Sequence, residues 1–211
     1  MNIRLLIKAS AIALSVAAVN PAQAATFLFN AGQSAPGAGY TVINQFDTLA
    51  GITSTNALIQ SATNSSGAAP EYAVFGSTSY LSVLAGGTAT INFAATNSVR
   101  FDWGSVDTYN TLTVLLSGGN SLVITPGGNF SNDANGNQIQ PSTNGLFTIN
   151  AGLNESIVGL KLQSSSNSFE IDNLSVAAVP EPATWAMMFG GLGLVGGLMR
   201  RRSAAVRMTY A

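Results

Sequence analysis

Period-two alternation of apolar and polar residues is the feature that most restricts how this 211-residue chain can fold. It occurs in four separate runs, at 26–29, 88–93, 111–116 and 168–172. Successive side chains of a strand point to opposite faces of a sheet, so this period predicts half-buried strands. Ser117-Gly118-Gly119-Asn120, between 111–116 and 121–124, predicts a hairpin. We therefore predict an all-β body over residues 25–178, arranged as a jelly-roll-like β-sandwich.

One connection in this body is long for a compact domain: Pro126 to Gly145, rich in Asn, Gly, Ser and Asp. Within it, Asp133-Ala134-Asn135-Gly136-Asn137 places oxygens at alternate positions, as calcium loops do. Gln138 stands where an EF-hand has Gly, and Asn144 stands where it has the bidentate Glu. A loop of Asx turns is therefore the favoured interpretation, and we predict neither a metal nor a cofactor.

Charged residues are scarce, at 8% of the chain against about 25% in typical globular domains. Between residues 25 and 179 the basic residues are Arg100 and Lys161, against eight acids. Such an acidic body lacks the cations that replace phosphate counterions, so nucleic-acid binding is not expected. The chain has no Cys, which excludes disulfides and thiol chemistry, and no His, the commonest general base and metal ligand.

Residues 1–24 have the organisation of a signal peptide. Arg4 and Lys8 form a charged start, and the run from Ala9 to Val19 is apolar and too short for a secure membrane span. Ala22-Gln23-Ala24 then gives the small-x-small pattern that signal peptidase accepts, with cleavage before Ala25. The sequence therefore predicts export through the Sec translocon and cleavage by signal peptidase.

The chain closes with a second processing segment. Val179-Pro180-Glu181-Pro182 favours extended, exposed backbone, because each proline fixes φ and removes a donor. The next seventeen residues, 183–199, carry no charge and predict a single transmembrane helix at the lower length limit. Arg200, Arg201 and Arg202 would hold its far end in the cytoplasm, while Trp185 suits the opposite interface. Residues 203–211 are then a cytoplasmic tail.

Glycine is frequent in this apolar segment, and Gly193 and Gly197 form a small-xxx-small pair. Such a pair lets a second helix approach closely inside a bilayer, which suggests docking against a membrane enzyme. The alternative is that glycine only weakens the anchor so that it can be removed. The sequence leaves both interpretations open.

Pro180-Glu181-Pro182, the Trp185-Ala186 pair, the glycine-rich apolar segment and the three arginines, in this order, closely resemble the PEP-CTERM sorting signal of PEPxxWA type. This resemblance covers residues 179–202. It implies recognition by exosortase, an integral-membrane cysteine transpeptidase of Gram-negative bacteria. It further implies a transient inner-membrane anchor that is removed before the body reaches the cell surface or the exopolysaccharide matrix. Nine residues follow the arginines, where family members usually end sooner.

The body has a weaker resemblance to exosortase-dependent surface proteins. The segment from Phe101 to Leu112 is similar to one found in a group of these proteins. The segment from Phe169 to Val176 resembles the last strand of many of their bodies. Neither similarity implies an activity.

A sugar-binding patch is one candidate site in the body. Trp103 and Tyr109 supply flat rings, and Asp107 and Asn110 supply hydrogen-bonding groups. The alternative is that Trp103 is a core residue, because Phe101 shares its strand face and needs burial. The latter interpretation is favoured.

Catalysis finds little support in the sequence, and no catalytic residue is predicted. Ser156 precedes Lys161 by five residues, and a nucleophilic serine needs an adjacent base. Carboxylate pairs can hydrolyse glycosides, and the acids available for this are Asp102, Asp107, Glu155, Glu170 and Asp172. We expect a non-catalytic, exopolysaccharide- or biofilm-associated surface protein. A carbohydrate-binding module is the alternative, and a secreted glycoside hydrolase is less favoured.

Overall fold

The structure is a computed structural model that describes residues 24–73, 79–128, 130, 133–177 and 182–202. Three predicted segments therefore lie wholly or partly outside the described residues. They are most of the signal peptide (residues 1–23), the first two positions of the Pro-Glu-Pro motif (Pro180 and Glu181) and the cytoplasmic tail (residues 203–211). The described elements are β1 (Thr26–Ala31), β2 (Tyr40–Asn44), β3 (Ile52–Gln60), β4 (Tyr80–Thr96), β5 (Ser98–Gly104), β6 (Asn110–Leu116), β7 (Ser121–Ile124), β8 (Gly145–Asn150), β9 (Ile157–Ser164), β10 (Phe169–Ala177) and the helix α1 (Pro182–Arg202).

All ten strands pair antiparallel within one curled sheet, which confirms the predicted all-β fold. The main path of the sheet runs β1-β8-β5-β10-β4-β9-β6-β7, with β2 added to β10 and β3 added to β4. Hydrogen bonding is thus continuous across the whole sheet, whereas we expected a sandwich of two separate sheets. The sheet curls so that its inner face encloses one shared core.

Strand β4 links the part of the sheet that contains β10 to the part that contains β9. Its first part pairs with β10 through residues 81–83, and its second part pairs with β9 from Gly87 onwards. The bend lies at Gly86, whose φ is +69°, and at Gly87, where a Cβ would clash with the main-chain oxygen of Asn56. Only glycine avoids both problems, so this pair acts as the corner of the sheet.

The core follows the predicted alternation. Along β6, Leu112, Val114 and Leu116 are buried while the residues between them are partly exposed. Its centre is aromatic, and the Trp103 ring stacks on Phe169 at 4.5 Å between centroids. Aromatic side chains bury more apolar area than any others, so this cluster provides much of the hydrophobic stabilisation.

The predicted hairpin at 117–120 is confirmed. Strand β6 pairs with β7, and the turn between them uses Gly118 and Gly119 at φ of +80° and +84°. In the long 126–145 connection, the Asn135 Oδ1 accepts the N–H of Asn137 at 3.0 Å. Asn137 Oδ1 in turn accepts the N–H groups of residues 139 and 140, so these oxygens close Asx turns.

Candidate functional site

The C-terminal processing segment, residues 179–202, contains helix α1, which begins at Pro182 and ends at Arg202. A proline is well tolerated at a first helical position, where its missing N–H would have no partner. Apolar side chains of the helix are exposed, among them Met187, Leu194 and Met199. The helical part of the prediction for 183–199 agrees with the structure. In the part of the chain that the structure describes, no helix has both the length and the hydropathy needed to cross a membrane.

Gly193 and Gly197 lie one turn apart on this helix. Both are exposed, and a Cβ added at either position would meet no atom within 4 Å. The helix surface at this pair is therefore open to close approach. Trp185, Arg200, Arg201 and Arg202 belong to the same helix, but their side chains lie outside the described part. At the other end, Ala24 and Ala25 lie in irregular backbone before β1, and cleavage between them stays a prediction.

The four residues predicted for a sugar patch separate into two pairs. Trp103 is fully buried against Phe169, so the core interpretation holds and its ring is not available to a ligand. Asn110 is also fully buried, and its Oδ1 accepts a hydrogen bond from Ser164 at 2.9 Å. Asp107 and Tyr109 remain partly exposed. The structure therefore retains two of the four as surface groups.

Asp107 and Tyr109 lie where β5 and the 126–145 connection meet. Asp107 forms an isolated antiparallel bridge with Asn135, and a Cβ at Gly136 would overlap the Asp107 carboxylate. Tyr109 donates its phenolic hydrogen to the main-chain oxygen of Asn167 at 2.6 Å. Burial, followed by the neighbouring Asp107 carboxyl group, raises the pKa of Tyr109 above its ordinary value. Burial also raises the pKa of Asp107, while the neighbouring Tyr109 hydroxyl lowers it.

Glu170 is the second acid at this place and was considered in the sequence only as one of five scattered carboxylates. It is 2% exposed and accepts hydrogen bonds from the Ser168 hydroxyl, the Ser105 hydroxyl at 2.8 Å and the Ala68 N–H at 3.3 Å. Burial raises the pKa of Glu170 to about 7, which these donors oppose and the nearby Asp107 charge reinforces. The carboxyl group is thus held firmly in a poorly solvated position.

These groups surround a small polar cavity of about 160 Å³. Three connections, at 64–67, 105–109 and 136–138, close it together with the start of β10, and sequence reasoning did not identify this combination of segments. Its lining consists almost entirely of polar side chains and glycines: Asn64, Ser65, Gly67, Ser105, Asp107, Tyr109, Gly136, Gln138, Asn167, Ser168 and Glu170. Asp107 and Glu170 are therefore the pair of acids that the fold brings to one cavity.

A more open groove of about 400 Å³ adjoins this cavity and shares Tyr109 with it. It runs along the exposed surface of β4, β6 and β9, beside the corner formed by Gly86 and Gly87. Its other lining residues are uncharged: Gly86, Gly87, Thr88, Thr108, Thr111, Gln163, Ser164 and Ser165. Tyr109 thus separates a neutral groove from an acidic cavity.

The remaining candidate acids lie elsewhere. Asp102 and Asp172 are buried opposite each other on β5 and β10, and Glu155 lies in the loop before β9. Within the described ranges, no three or more His, Cys, Asp or Glu side chains are grouped so that they could hold a metal ion. The Asn135 and Asn137 oxygens considered for calcium close Asx turns instead.

Comparison with known proteins identifies the processing segment. No curated protein matches the chain. Residues 178–203 match the family model described as the PEP-CTERM protein-sorting motif, in agreement with the resemblance of residues 179–202. The chain therefore carries a PEP-CTERM sorting motif of the kind found in exported proteins that are sorted at the membrane by exosortase.

Proposed function

We propose that this chain is a non-catalytic surface or extracellular-matrix protein, delivered through its PEP-CTERM motif. The observation that carries the proposal is the match over residues 178–203, which coincides with a helix of exposed apolar side chains. An exposed apolar helix in water is unfavourable, so a membrane environment or a membrane enzyme is its natural partner.

In this proposal, Pro180, Glu181 and Pro182 form the element that exosortase recognises. The open pair Gly193 and Gly197 then contacts a helix of the enzyme, and Arg200 to Arg202 remain on the cytoplasmic side. Signal peptidase releases the other end before Ala25 after passage through the Sec translocon. The precursor is held at the inner membrane of a Gram-negative cell until the anchor is removed.

Intact mass of the protein recovered from its host, with and without exosortase, tests this proposal. We expect the wild-type product to begin at Ala25 and to end near 180–182, and the exosortase-deficient strain to retain the helix. The double change Pro180→Ala/Pro182→Ala should also retain it. Pro141→Ala, at an exposed proline in the body, is the matched control and should leave processing unchanged. A product that keeps residues 185–202 in both strains would contradict the proposal.

Association with exopolysaccharide is the second part of the proposal. Its support is a surface with few charged residues and a groove of uncharged hydroxyl and amide side chains beside Tyr109. Such groups can exchange hydrogen bonds with sugar hydroxyls without the cost of burying charge. Retention of the processed protein on cells that make exopolysaccharide, and its loss from cells that make none, is the expected result.

A secreted glycoside hydrolase is the competing function, because Asp107 and Glu170 line one cavity and Glu170 has a raised pKa. Against it, both Glu170 oxygens accept hydrogen bonds from the protein, which suits a structural carboxyl group better than a proton donor to substrate. Release of reducing ends from host exopolysaccharide by the purified protein, abolished by Glu170→Gln, would favour the hydrolase. We expect no release.

A further inference from the structure

The groove beside Tyr109 has the features of a site for a sugar chain. Side chains of Thr88, Thr111 and Gln163 are partly exposed along it and offer hydroxyl and amide groups. The partly exposed Tyr109 ring provides an apolar face at the end next to the cavity. Pyranose rings present hydroxyls at their edges and C–H groups on their faces, so a neutral polar groove with one aromatic wall suits them.

The cavity adds a charge requirement. Asp107 and Glu170 line it, and none of the other lining residues is basic. In the part of the chain that the structure describes, Arg100 is engaged elsewhere, over the Tyr40 ring at 3.9 Å. A group that enters the cavity therefore meets the Asp107 and Glu170 carboxyl groups and no basic side chain in the lining. Such a cavity favours a cationic group and opposes an anionic one.

The volume of the cavity narrows the choice of cation. About 160 Å³ corresponds to roughly five water molecules, which is more than a bare metal ion fills. The cavity also opens beside a groove that suits a chain, because both share Tyr109. An ammonium group attached to a sugar ring fits this site in two ways. Its positive charge suits the acidic lining of the cavity, and the sugar chain that carries it can continue into the adjoining groove.

We propose that the groove and the cavity together bind a polysaccharide with free amino groups, whose ammonium group enters the cavity next to Asp107 while the chain follows the groove past Tyr109. The proposal rests on the association with polysaccharide proposed above, and it is independent of how the protein is sorted. The expected ligands are amino-sugar chains. Uronate chains should not bind, because their carboxylates would face Asp107 and Glu170.

Binding of three oligosaccharides to the purified, full-length chain in mild non-ionic detergent tests this inference. The probes are a glucosamine hexamer, its N-acetylated counterpart and a galacturonate hexamer, measured by calorimetry. We expect the glucosamine hexamer to bind at least about tenfold more tightly than the N-acetylated one, since acetylation removes the charge, and no binding of galacturonate. Equal affinity for the first two, binding of galacturonate, or no binding at all would overturn the proposal.

Two matched pairs of variants locate the site. Asp107→Asn should weaken glucosamine binding by about tenfold, while Glu155→Gln, which removes a charge at a distant loop, should not. Ser165→Arg should block the groove, while Ser166→Arg at the neighbouring exposed position, outside the lining, should not. Unchanged circular dichroism shows that each variant folds. Equal effects within either pair would contradict the assignment.

This assay uses unprocessed protein, so its outcome does not depend on exosortase. Failure of binding would leave the mass measurement of sorting intact, and failure of sorting would leave the binding result intact. The two proposals can therefore fail separately.

Discussion

Asp102 and Asp172 lie directly opposite each other on the adjacent antiparallel strands β5 and β10, and both side chains are buried. Like charges in this position repel each other, so the pair has a cost that the surrounding hydrogen bonds must offset. The Asp102 oxygens accept from the Ala35 N–H at 2.7 Å, the Asn173 side-chain amide at 2.8 Å and the Ser34 hydroxyl at 3.0 Å. Asp172 accepts the Asn173 N–H at 2.7 Å. The two carboxyl groups therefore differ in their hydrogen-bond partners. Asp102 accepts from a main-chain N–H and two side chains, whereas Asp172 accepts from the main-chain N–H of the next residue.

Substitution by asparagine should separate these roles. Asp102→Asn places an amide N–H among groups that are themselves donors, so we expect a loss of about 1–3 kcal/mol in unfolding free energy at pH 8. Asp172→Asn removes a buried charge next to Asp102 and should leave stability at pH 8 equal or higher. Urea unfolding of the two variants measures the difference. The interpretation fails if Asp172→Asn is the more destabilising of the two.

Stability should fall as the pH rises from about 4 to about 7. Burial raises the pKa of Glu170 to about 7 from its ordinary 4.5, and that of Asp172 to about 7 from 3.8. The folded state then holds protons that the unfolded chain has already released, so their stabilising contribution is complete below the unfolded pKa and is lost on approaching the folded pKa. We expect the melting temperature to drop by roughly 5 °C or more across this range.

Melting curves recorded by circular dichroism at half-unit pH intervals check this expectation. Asp172→Asn should reduce the slope, because one of the carboxyl groups with a strongly raised pKa is gone. Glu155→Gln, in the loop before β9, should not change it. A melting temperature that rises over the same interval would contradict the assignment of these two carboxyl groups.

Alanine substitution at two neighbouring glycines should give unequal losses. Gly87→Ala places a Cβ against the main-chain oxygens of Asn56 and Leu84, so the corner of β4 must shift. Gly86→Ala meets no atom within 4 Å and carries only the strain of a positive φ, about 1–3 kcal/mol. Urea unfolding should show the larger loss for Gly87→Ala, or failure of that variant to fold. Equal losses would mean that β4 does not turn a rigid corner here.

Trp103→Ala should be the most damaging change in the aromatic core. Its ring is fully buried and stacked on Phe169, so truncation leaves a large cavity and should cost about 3–5 kcal/mol. Ile139→Ala, at an apolar residue that is 68% exposed, is the control and should change stability by less than about 0.5 kcal/mol. Thermal unfolding distinguishes them, and a mild effect of Trp103→Ala would place this ring at the surface.

The sequence by itself determined the sorting motif and the β character of the body. Both are local properties: the motif is a short run of residues in fixed order, matched at residues 178–203, and strands follow from alternation within a few residues. The hairpin at Gly118 and Gly119 could be predicted for the same reason, because its turn residues lie between the strands that they join.

Only the tertiary structure decided which polar residues share a site. Asp107 follows β5 and Glu170 lies on β10, and strands and loops far apart in sequence bring both to one cavity with Tyr109. Burial likewise removed Trp103 and Asn110 from the predicted patch. Periodicity indicates which face of a strand a side chain is on, but not which strands pair, because pairing is set by the packing of the whole core.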